Sequence, residues 1–551
     1  MTHVYDILAQ TFLNEGVTTC FSLLGDANMN WATRMAEGGC RMIYVRHEHC
    51  AVAAAMAYAR KSGNVGVATT TCGPGLTQVV TALPAAVRAH LPVVVFAGEA
   101  PLGKAWYNQG IDQGPIITAT GAAYHALHDV ARMPTQIRDA FVQARQEQRP
   151  VVIGVPFDLQ DKVWGGPKTL PAPSSEMLPK VGPIPPHPDD IAAAITLITQ
   201  SKRIVLMAGL GAVHAVAEAQ DLAAKCDALL ATSLPARGLF AGEAFNIGIA
   251  GGFSSDIARD LLGQADLIVA AGCSLAQHNA DSGKLYGQAH VIQIDTKPAV
   301  QSQGRVAADS HIRADAALGL AALTAALPNR LATWRTDTIA AAIANTLPDA
   351  SPRHPEPNVH DPRDVITALE AVLPPDWDLV NSSGHCSYYF AQMPSRPYEK
   401  FLTIREFGAI GNGIAFAIGV AAARPENTVV LFDGDGSALM HIQEIETMRR
   451  HGLNILICIL NDGAYGSEIH KLRAEGLSDA GAVFGRTDLA AIARGFGAAG
   501  YRIDDLTILP QLVKDVAGVT LFDFPVSDKV ASPVMRRAHP PKDHSDENPP
   551  S

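Results

Sequence analysis

The sequence predicts an α/β protein built from three doubly wound domains. Short apolar runs ending at glycine turns alternate with stretches of helical periodicity. Two proline-rich stretches cut that alternation into three blocks. A chain of 551 residues also exceeds what one hydrophobic core organises. The hydrophobic fraction of 48% is ample for three such cores and typical of soluble globular chains.

The first block, 1–165, opens with an amphipathic helix, Val4–Glu15. Strand Thr19–Leu23 and the turn Gly25-Asp26-Ala27-Asn28 follow. Strand Arg41–Val45 ends in Arg46-His47-Glu48-His49 and feeds helix Cys50–Arg60. Strand Val65–Thr70 leads through Cys72-Gly73-Pro74-Gly75 into a helix expected to run to about Ala89. Pro92–Ala97 and Pro150–Val155 complete the strands read here. Ligands of such a sheet gather at the carboxyl ends of its strands.

A linker at 166–189 carries Pro167, Pro171, Pro173, Pro179, Pro183, Pro185, Pro186 and Pro188. The central block, 190–330, has strand Arg203–Met207 before Gly209-Leu210-Gly211 and strand Leu267–Ala271 before Gly272. A lone glycine turn is read as letting helix approach sheet, rather than as a nucleotide site. A second linker covers 347–362. The third block, 363–535, contains strand Thr428–Phe432, a helix expected over Ser437–Arg450, and strand Ile455–Leu460. This is a βαβ unit, whose right-handed crossover brings Asp435 and Asp462 together at one sheet edge. Hard oxygen ligands beside the glycine turn Gly434-Asp435-Gly436-Ser437 suit magnesium holding a diphosphate. The tail, 537–551, is expected to be disordered.

Bulk properties narrow the function. A net charge of −11 gives no footprint for nucleic acid. Eight cysteines without a CxxC pair argue against a disulfide framework or zinc site. The apolar stretch Phe407–Ala423 is short for a membrane span and contains four glycines. No secretory signal pattern opens the chain, so a cytoplasmic enzyme is expected.

Gly434-Asp435-Gly436, followed at the right interval by Asn461-Asp462, resembles the signature of thiamine diphosphate enzymes. Arg46-His47-Glu48-His49 before small residues resembles the catalytic-glutamate segment of the branch holding acetolactate synthase, benzoylformate decarboxylase and benzaldehyde lyase. Gly73-Pro74-Gly75 and Gly408-Ala409-Ile410-Gly411 match further segments in order.

The resemblance implies that Glu48 bonds the pyrimidine nitrogen of a cofactor held by a partner subunit. The cofactor then acts through a C2 ylide and an enamine. It implies pyrimidine-binding, central and diphosphate-binding domains. Asp435, Asp462 and the Ala464 carbonyl would hold Mg²⁺. Gly384, His385, Gly434, Gly436, Ser437, Tyr465 and Gly466 would form the diphosphate shell. Ile410 would wedge the cofactor, and the Gly408 carbonyl would receive its aminopyrimidine. A homodimer or homotetramer is implied.

Departures from the pattern concern the substrate. Asp462 stands where the family has a second Asn. Asn30, in the turn after strand one, is expected to face the reacting ring or to cap a helix. One of Asn108, Gln109 and Gln113 is expected to reach the site. His278 stands where acetolactate synthases carry an Arg for the 2-oxo acid, and is either an acid or a polar loop residue. Ser274 replaces a flavin-associated Arg, making FAD unexpected. Glu468 matches an acid of pyruvate decarboxylases and is a candidate proton donor. The expected chemistry is decarboxylation and carboligation of a 2-oxo acid. The alternatives are acetolactate synthesis, an aldehyde or 2-hydroxyacyl-CoA lyase, and a non-catalytic cofactor-binding paralogue.

Overall fold

The computed structural model describes residues 1–541, apart from 168, 299–306 and 394–395. Three six-stranded sheets form among the described residues, and the strands within each pair in parallel. The first contains β1 (Thr19–Ser22), β2 (Arg41–Tyr44), β3 (Gly66–Thr70), β4 (Val93–Glu99), β5 (Ala123–Ala126) and β6 (Val151–Pro156). The central sheet contains β7 (Ile204–Ala208), β8 (Leu229–Thr232), β9 (Asn246–Ile249), β10 (Leu267–Ala271), β11 (His290–Asp295) and β12 (Ser310–Arg313). The third contains β13 (Asp378–Asn381), β14 (Phe401–Thr403), β15 (Val429–Gly434), β16 (Ile455–Asn461), β17 (Ala499–Arg502) and β18 (Val519–Pro525).

Counted within each domain, the first and third sheets share the order 2-1-3-4-6-5. The central sheet runs 3-2-1-4-5-6, the order of dinucleotide folds. The outer domains therefore share one architecture and the middle one differs. Most strands are buried on both faces, as parallel sheets between helices must be.

Two helices join the outer domains. The first is α1 (Glu48–Ser62) and the second α2 (Gly413–Ala423). His49 through Ala59 of α1 are all buried, as are Gly413 through Ala422 of α2. A helix apolar on every side belongs in a core. Their small residues let the backbones come close: a Cβ on Gly419 would lie 2.2 Å from the Ala54 carbonyl oxygen.

Polar contacts lock the start of α1 to the third domain. Buried Glu444 opens α4 (Glu444–Arg450), which follows α3 (Asp435–Ala438). Its carboxylate accepts from the Arg46 amide at 2.9 Å and from Thr447 at 2.6 Å. Arg46 pairs with Glu446 at 2.7 Å. His451 accepts from the Tyr44 amide at 2.9 Å. His49 bonds the Asn412 side-chain oxygen at 2.6 Å and stacks on His441, ring centres 4.9 Å apart. His441 donates to the Gly411 carbonyl at 2.8 Å. The Tyr44–His451 and Arg46–Glu444 contacts join residues 407 and 398 apart in sequence.

The structure corrects several sequence expectations. The helix expected from Gly75 to Ala89 breaks into Pro74–Thr77 and Ala82–Arg88. Pro84 explains the break, since its ring clashes with the carbonyl four residues earlier and it lacks an N–H. The helix expected over Ser437–Arg450 likewise divides into α3 and α4. The intervening turn lets His441 reach Gly411 and Glu444 reach Arg46. Arg537 and Ala538, assigned to the tail, close the helix Pro533–Ala538. Residues 542–551 of that tail lie outside the described residues. No described helix is long and apolar enough to cross a membrane.

Two tests follow. Gly419→Val should destabilise the protein by roughly 1–3 kcal/mol, the usual cost of overpacking a dense interface, as read by urea denaturation. For His49, burial and the neighbouring His441 lower the pKa from 6.5 to about 4. Neutral His49 thus stabilises the fold fully above pH 6.5. That contribution is lost as pH falls toward about 4, at about 1.4 kcal/mol per pH unit. His49→Gln should flatten the decline in melting temperature over this window. An unchanged slope would refute the assignment.

Candidate active site

The β15–β16 register places Gly434 beside Leu460. Asp435 and Asp462 therefore leave adjacent strands at the same sheet edge, which is the meeting the crossover argument anticipates. Asp435 is 1% exposed. Its carboxylate accepts from the Gly436 amide at 2.9 Å and the Gly463 amide at 2.8 Å. Asp462 accepts from the Ala464 amide at 3.1 Å. Burial raises both carboxyl pKa values above the ordinary range, and the facing Asp462 adds to the effect on Asp435. Two desolvated carboxylates in contact form a site that a cation would stabilise. Among the described residues, no group of three or more His, Cys, Asp or Glu side chains is placed to hold a metal. A cation here would therefore complete its shell with main-chain, water or ligand oxygens, which suits magnesium on a diphosphate.

The cleft opens between β13 and β15, the switch point of a sheet ordered 2-1-3-4. Ser383, Gly384 and His385 line one wall, and Gly434, Asp435, Gly436 and Ser437 the other. Ile410, Asp462, Ala464, Tyr465, Gly466 and Glu468 also line it. Gly408 is exposed in the Ile410 loop without lining the cleft. Ser437 fixes that loop by accepting from the Gly411 amide at 2.9 Å, and it meets Ser382 at 3.0 Å.

His385 accepts at Nε2 from the Ser532 amide at 3.0 Å, so its proton resides on Nδ1. Burial and the nearby His470 lower its pKa well below the usual histidine value. Gly466 leaves open the space between this Nδ1 and Asp462: its Cβ would lie 3.1 Å from the former and 2.6 Å from the Asp462 Oδ2. A neutral donor thus stands beside the Asp435–Asp462 pair.

Glu468 begins the second residue pair of α5 (Gly466–Ala474) and faces the cleft while pairing with Lys471 at 3.4 Å. Tyr465 is 41% exposed and packs edge-on against Phe484. Asn461 faces away, donating to Asp523 and the Thr487 carbonyl, each at 2.9 Å.

The other expected residues lie outside this cleft. Glu48 is half-buried at the head of α1, beside the Gly73–Gly75 turn. Gln113 is 4% exposed and spends both ends of its amide on structure. It accepts from the Gly73 amide at 2.9 Å and donates to the Gly98 carbonyl at 3.0 Å. The turn Gly25–Asn28 after β1 is organised by buried Asn28, which accepts from the Gly25 amide at 2.8 Å. Asn30 turns instead to Asp161 at 3.1 Å. His278 is exposed in the central domain, its carbonyl accepting from the Gly252 amide at 2.8 Å.

In the central domain the glycine turns pack on each other. The Gly209 and Gly211 amides donate to the Ala271 and Gly272 carbonyls, each at 2.9 Å. These amides are committed to the fold, in keeping with the close-approach reading.

Two residues escaped sequence reasoning. Asp433 is buried beside Ser382 and Ser437, and burial raises its pKa to about 7. Its place one residue before the glycine turn was the available signal. Glu444 holds the backbone just ahead of Glu48, and its partner lies too far along the chain to be read from spacing.

Comparison with known proteins bears on the family. The N-terminal binding domain model of thiamine pyrophosphate enzymes matches residues 2–116. Their central domain matches 191–323, and their C-terminal binding domain 382–523. An acetolactate synthase large subunit from Parasynechococcus marenigrum is 29% identical over 523 residues, covering 91% of this chain and 83% of its own. A putative acetolactate synthase large subunit from Mycobacterium tuberculosis is 28% identical over 529 residues, covering 90% and 92%. The large subunit of acetolactate synthase isozyme 2 from Escherichia coli is 28% identical over 474 residues, covering 82% and 81%. With all three domain models matched in order, and the carboxylate pair in the cleft of the third, the chain belongs to the thiamine pyrophosphate enzyme family.

Proposed function

We propose that this chain is a magnesium- and thiamine diphosphate-dependent enzyme that decarboxylates a 2-oxo acid and joins the resulting acyl unit to a carbonyl acceptor. The observation that carries this is the buried Asp435–Asp462 pair beside the β13–β15 switch point. When bound, the cofactor supplies an electron sink beside the substrate carbonyl.

Asp435, Asp462 and the Ala464 carbonyl would hold the cation. The glycines at 384, 434, 436 and 466, with Ser437, His385 and Tyr465, would take the diphosphate. Ile410 and Gly408 would seat the rings. Glu48 would hold the proton at the pyrimidine nitrogen. Because Glu48 does not line the cleft of its own chain, this reading calls for at least a homodimer, with a homotetramer as the larger form. Gln113 would act by fixing the Gly73 turn. Glu468, at the cleft, is the proposed proton donor, with Asn30 and His278 as outlying candidates. Eight buried free thiols fit a reducing cytoplasm.

Acetolactate synthesis is the second reading, favoured by the names of the relatives. Screening 2-oxo acids and aldehydes by NMR with both cofactors present separates the two. Acetolactate formed from pyruvate without free acetaldehyde favours the second. No turnover, together with no proton exchange at C2 of bound thiamine diphosphate, would overturn both.

Two variants test the site. Glu48→Gln should slow C2 proton exchange by ~100-fold or more while leaving cofactor affinity nearly unchanged. Asp435→Asn should weaken magnesium-dependent cofactor binding by roughly 100-fold, since even outer-shell partners of metals cost 10–100-fold. Asp462→Asn should retain cofactor binding and relieve the metal-free repulsion. A gain of about 1 kcal/mol would raise the melting temperature of the metal-free protein by ~2–4 °C. Calorimetric titration and thermal melts read these outcomes.

A further inference from the structure

A second groove lies beside the cofactor cleft, between the linker 347–362 and the segment that follows β18. Its volume is about 440 Å³, within the range that holds small molecules. Ser351, Pro352, His354, Pro355 and Glu356 form one wall, and Lys529, Val530, Ala531 and Arg536 the other. Arg363, from the helix Pro362–Val372, also lines it and is the most buried of its arginine and lysine cations. Charge is segregated across this groove. Its lining sets Arg363, Lys529, Arg536 and His354 against a single carboxylate, Glu356. The balancing acids Asp349 and Asp361 do not line it, and their side chains are 6% and 10% exposed.

Each cation has partners, and the remaining donors can be named. Arg363 is consumed by structure: it pairs with Asp361 at 2.6 Å, faces Asp349 at 3.4 Å and donates to Ser351 and to the Pro352 carbonyl. Arg536 pairs with Asp349 at 2.8 Å and donates to the Ala531 carbonyl at 2.5 Å. Lys529 pairs with Glu356 at 2.5 Å, and Glu356 also accepts from the Ser527 hydroxyl. Two neighbouring charges are held elsewhere, Asp528 by Arg473 and Arg353 by Asp364. An ammonium has three N–H groups and a guanidinium five. Lys529, with its side chain 71% exposed, and Arg536, 39% exposed, therefore keep N–H groups that these bonds do not use. His354 is exposed and has no partner among the described residues. Three donors from three segments thus face one groove, beside an apolar wall of Pro352, Pro355, Val530 and Ala531.

We propose that this groove is an effector site for a small organic phosphate ester, with Lys529, Arg536 and His354 on the phosphate and the apolar wall under the organic body. A phosphate presents three oxygens in different directions and nearly two charges, which suits donors arriving from separate segments. A carboxylate is planar and is satisfied by one guanidinium fork. Glu356 opposes the ligand, because it competes for Lys529. The groove also shares a wall with the cofactor cleft, since Val530 lines both. The Val530 carbonyl accepts from the hydroxyl of Tyr389, a cleft residue, at 2.6 Å. Two residues on, the Ser532 amide holds His385 of the cleft at 3.0 Å. A ligand packed on Lys529 and Val530 therefore bears on the segment that fixes His385. The effector role rests on the thiamine diphosphate reading above, whereas binding in the groove does not.

The experiment is calorimetry with phenyl phosphate on the full chain saturated with thiamine diphosphate and Mg²⁺, so that the cleft is filled. Phenyl phosphate should bind tighter than benzoate, and about tenfold tighter than inorganic phosphate because its ring buries apolar surface. Lys529→Ala and His354→Ala, both at exposed side chains, should each weaken it about tenfold, the equivalent of one charge-assisted bond. Glu356→Gln should strengthen it by roughly threefold, as the loss of one facing anion would. A purely structural Lys529–Glu356 pair does not produce that gain. Unchanged cofactor affinity in the ligand-free variants shows that their fold is intact. Phenyl phosphate at saturation should shift thiamine diphosphate affinity by roughly fivefold, with an equal reciprocal shift. Absent wild-type binding, equal binding of benzoate, unchanged affinity in the Lys529 and His354 variants, or weaker binding in Glu356→Gln would overturn the site. Binding that disappears when the cleft is filled would assign the phosphate to that cleft and overturn it too. Cofactor affinity indifferent to the ligand would overturn the effector role. Failure of the wild type to bind thiamine diphosphate overturns the parent reading instead, and the same variants then test the groove on the cofactor-free chain.

Discussion

The placement of two segments of the proposed site, Glu48 and the Ile410 loop, depends on the contact between α1 and α2. Glu48 begins one of these helices, and the Ile410–Asn412 loop ends where the other begins. Alanine and glycine on both sides remove the bulk that normally keeps helix axes 8–10 Å apart. The two starts are therefore held in one geometry, and Glu444, His49 and His441 pin them further. Burying these polar groups is tolerable because each has a named partner across the domain boundary. The interface thus positions segments of two domains to which the proposed function assigns roles, beyond its part in stability.

This arrangement explains which features were legible in the sequence. Asp435 and Asp462 could be paired because a βαβ crossover has one hand, and the observed register honours it. The glycine turns at 209–211 and 272 could be read because close backbone approach is a local need. Gln113 was expected to reach the site as a donor, but its amide is consumed by Gly73 and Gly98, a tertiary pairing that spacing does not reveal. Glu444 and Arg405 were silent for a physical reason. Each owes its meaning to residues from distant segments, Arg46 for the one and Phe253 for the other. Strand β5, Ala-Tyr-His-Ala, was missed because a four-residue edge strand has too little apolar alternation to register.

The two sheet orders divide the labour of the chain. The outer domains share 2-1-3-4-6-5 and place a loop crevice at the same switch point. In the third domain that crevice holds the carboxylate pair. In the first, the matching crevice holds the Gly25–Asn28 and Thr71–Gly75 turns, which touch through Thr71. One crevice is acidic and suited to a cation, while the other offers glycine turns beside Glu48. The two are complementary in chemistry although alike in architecture, as expected of two halves that act on one cofactor.

The central domain has the dinucleotide order, but its glycine amides are spent on neighbouring strands. Its visible contribution to the third domain is mechanical and electrostatic. Arg237 crosses from it to cap the Phe390 and Met393 carbonyls, stacking on Phe390 and Phe401. Phe253 crosses beside Arg405. Seating a cation on rings and carbonyls costs hydration, so each junction arginine needs its partners in place. Arg237 donates to two carbonyls and stacks on two rings of the third domain, and so acts as a clamp. Arg405 bonds the Ser387 hydroxyl and lies against the Phe253 and Tyr388 rings, so it too ties the central domain to the third.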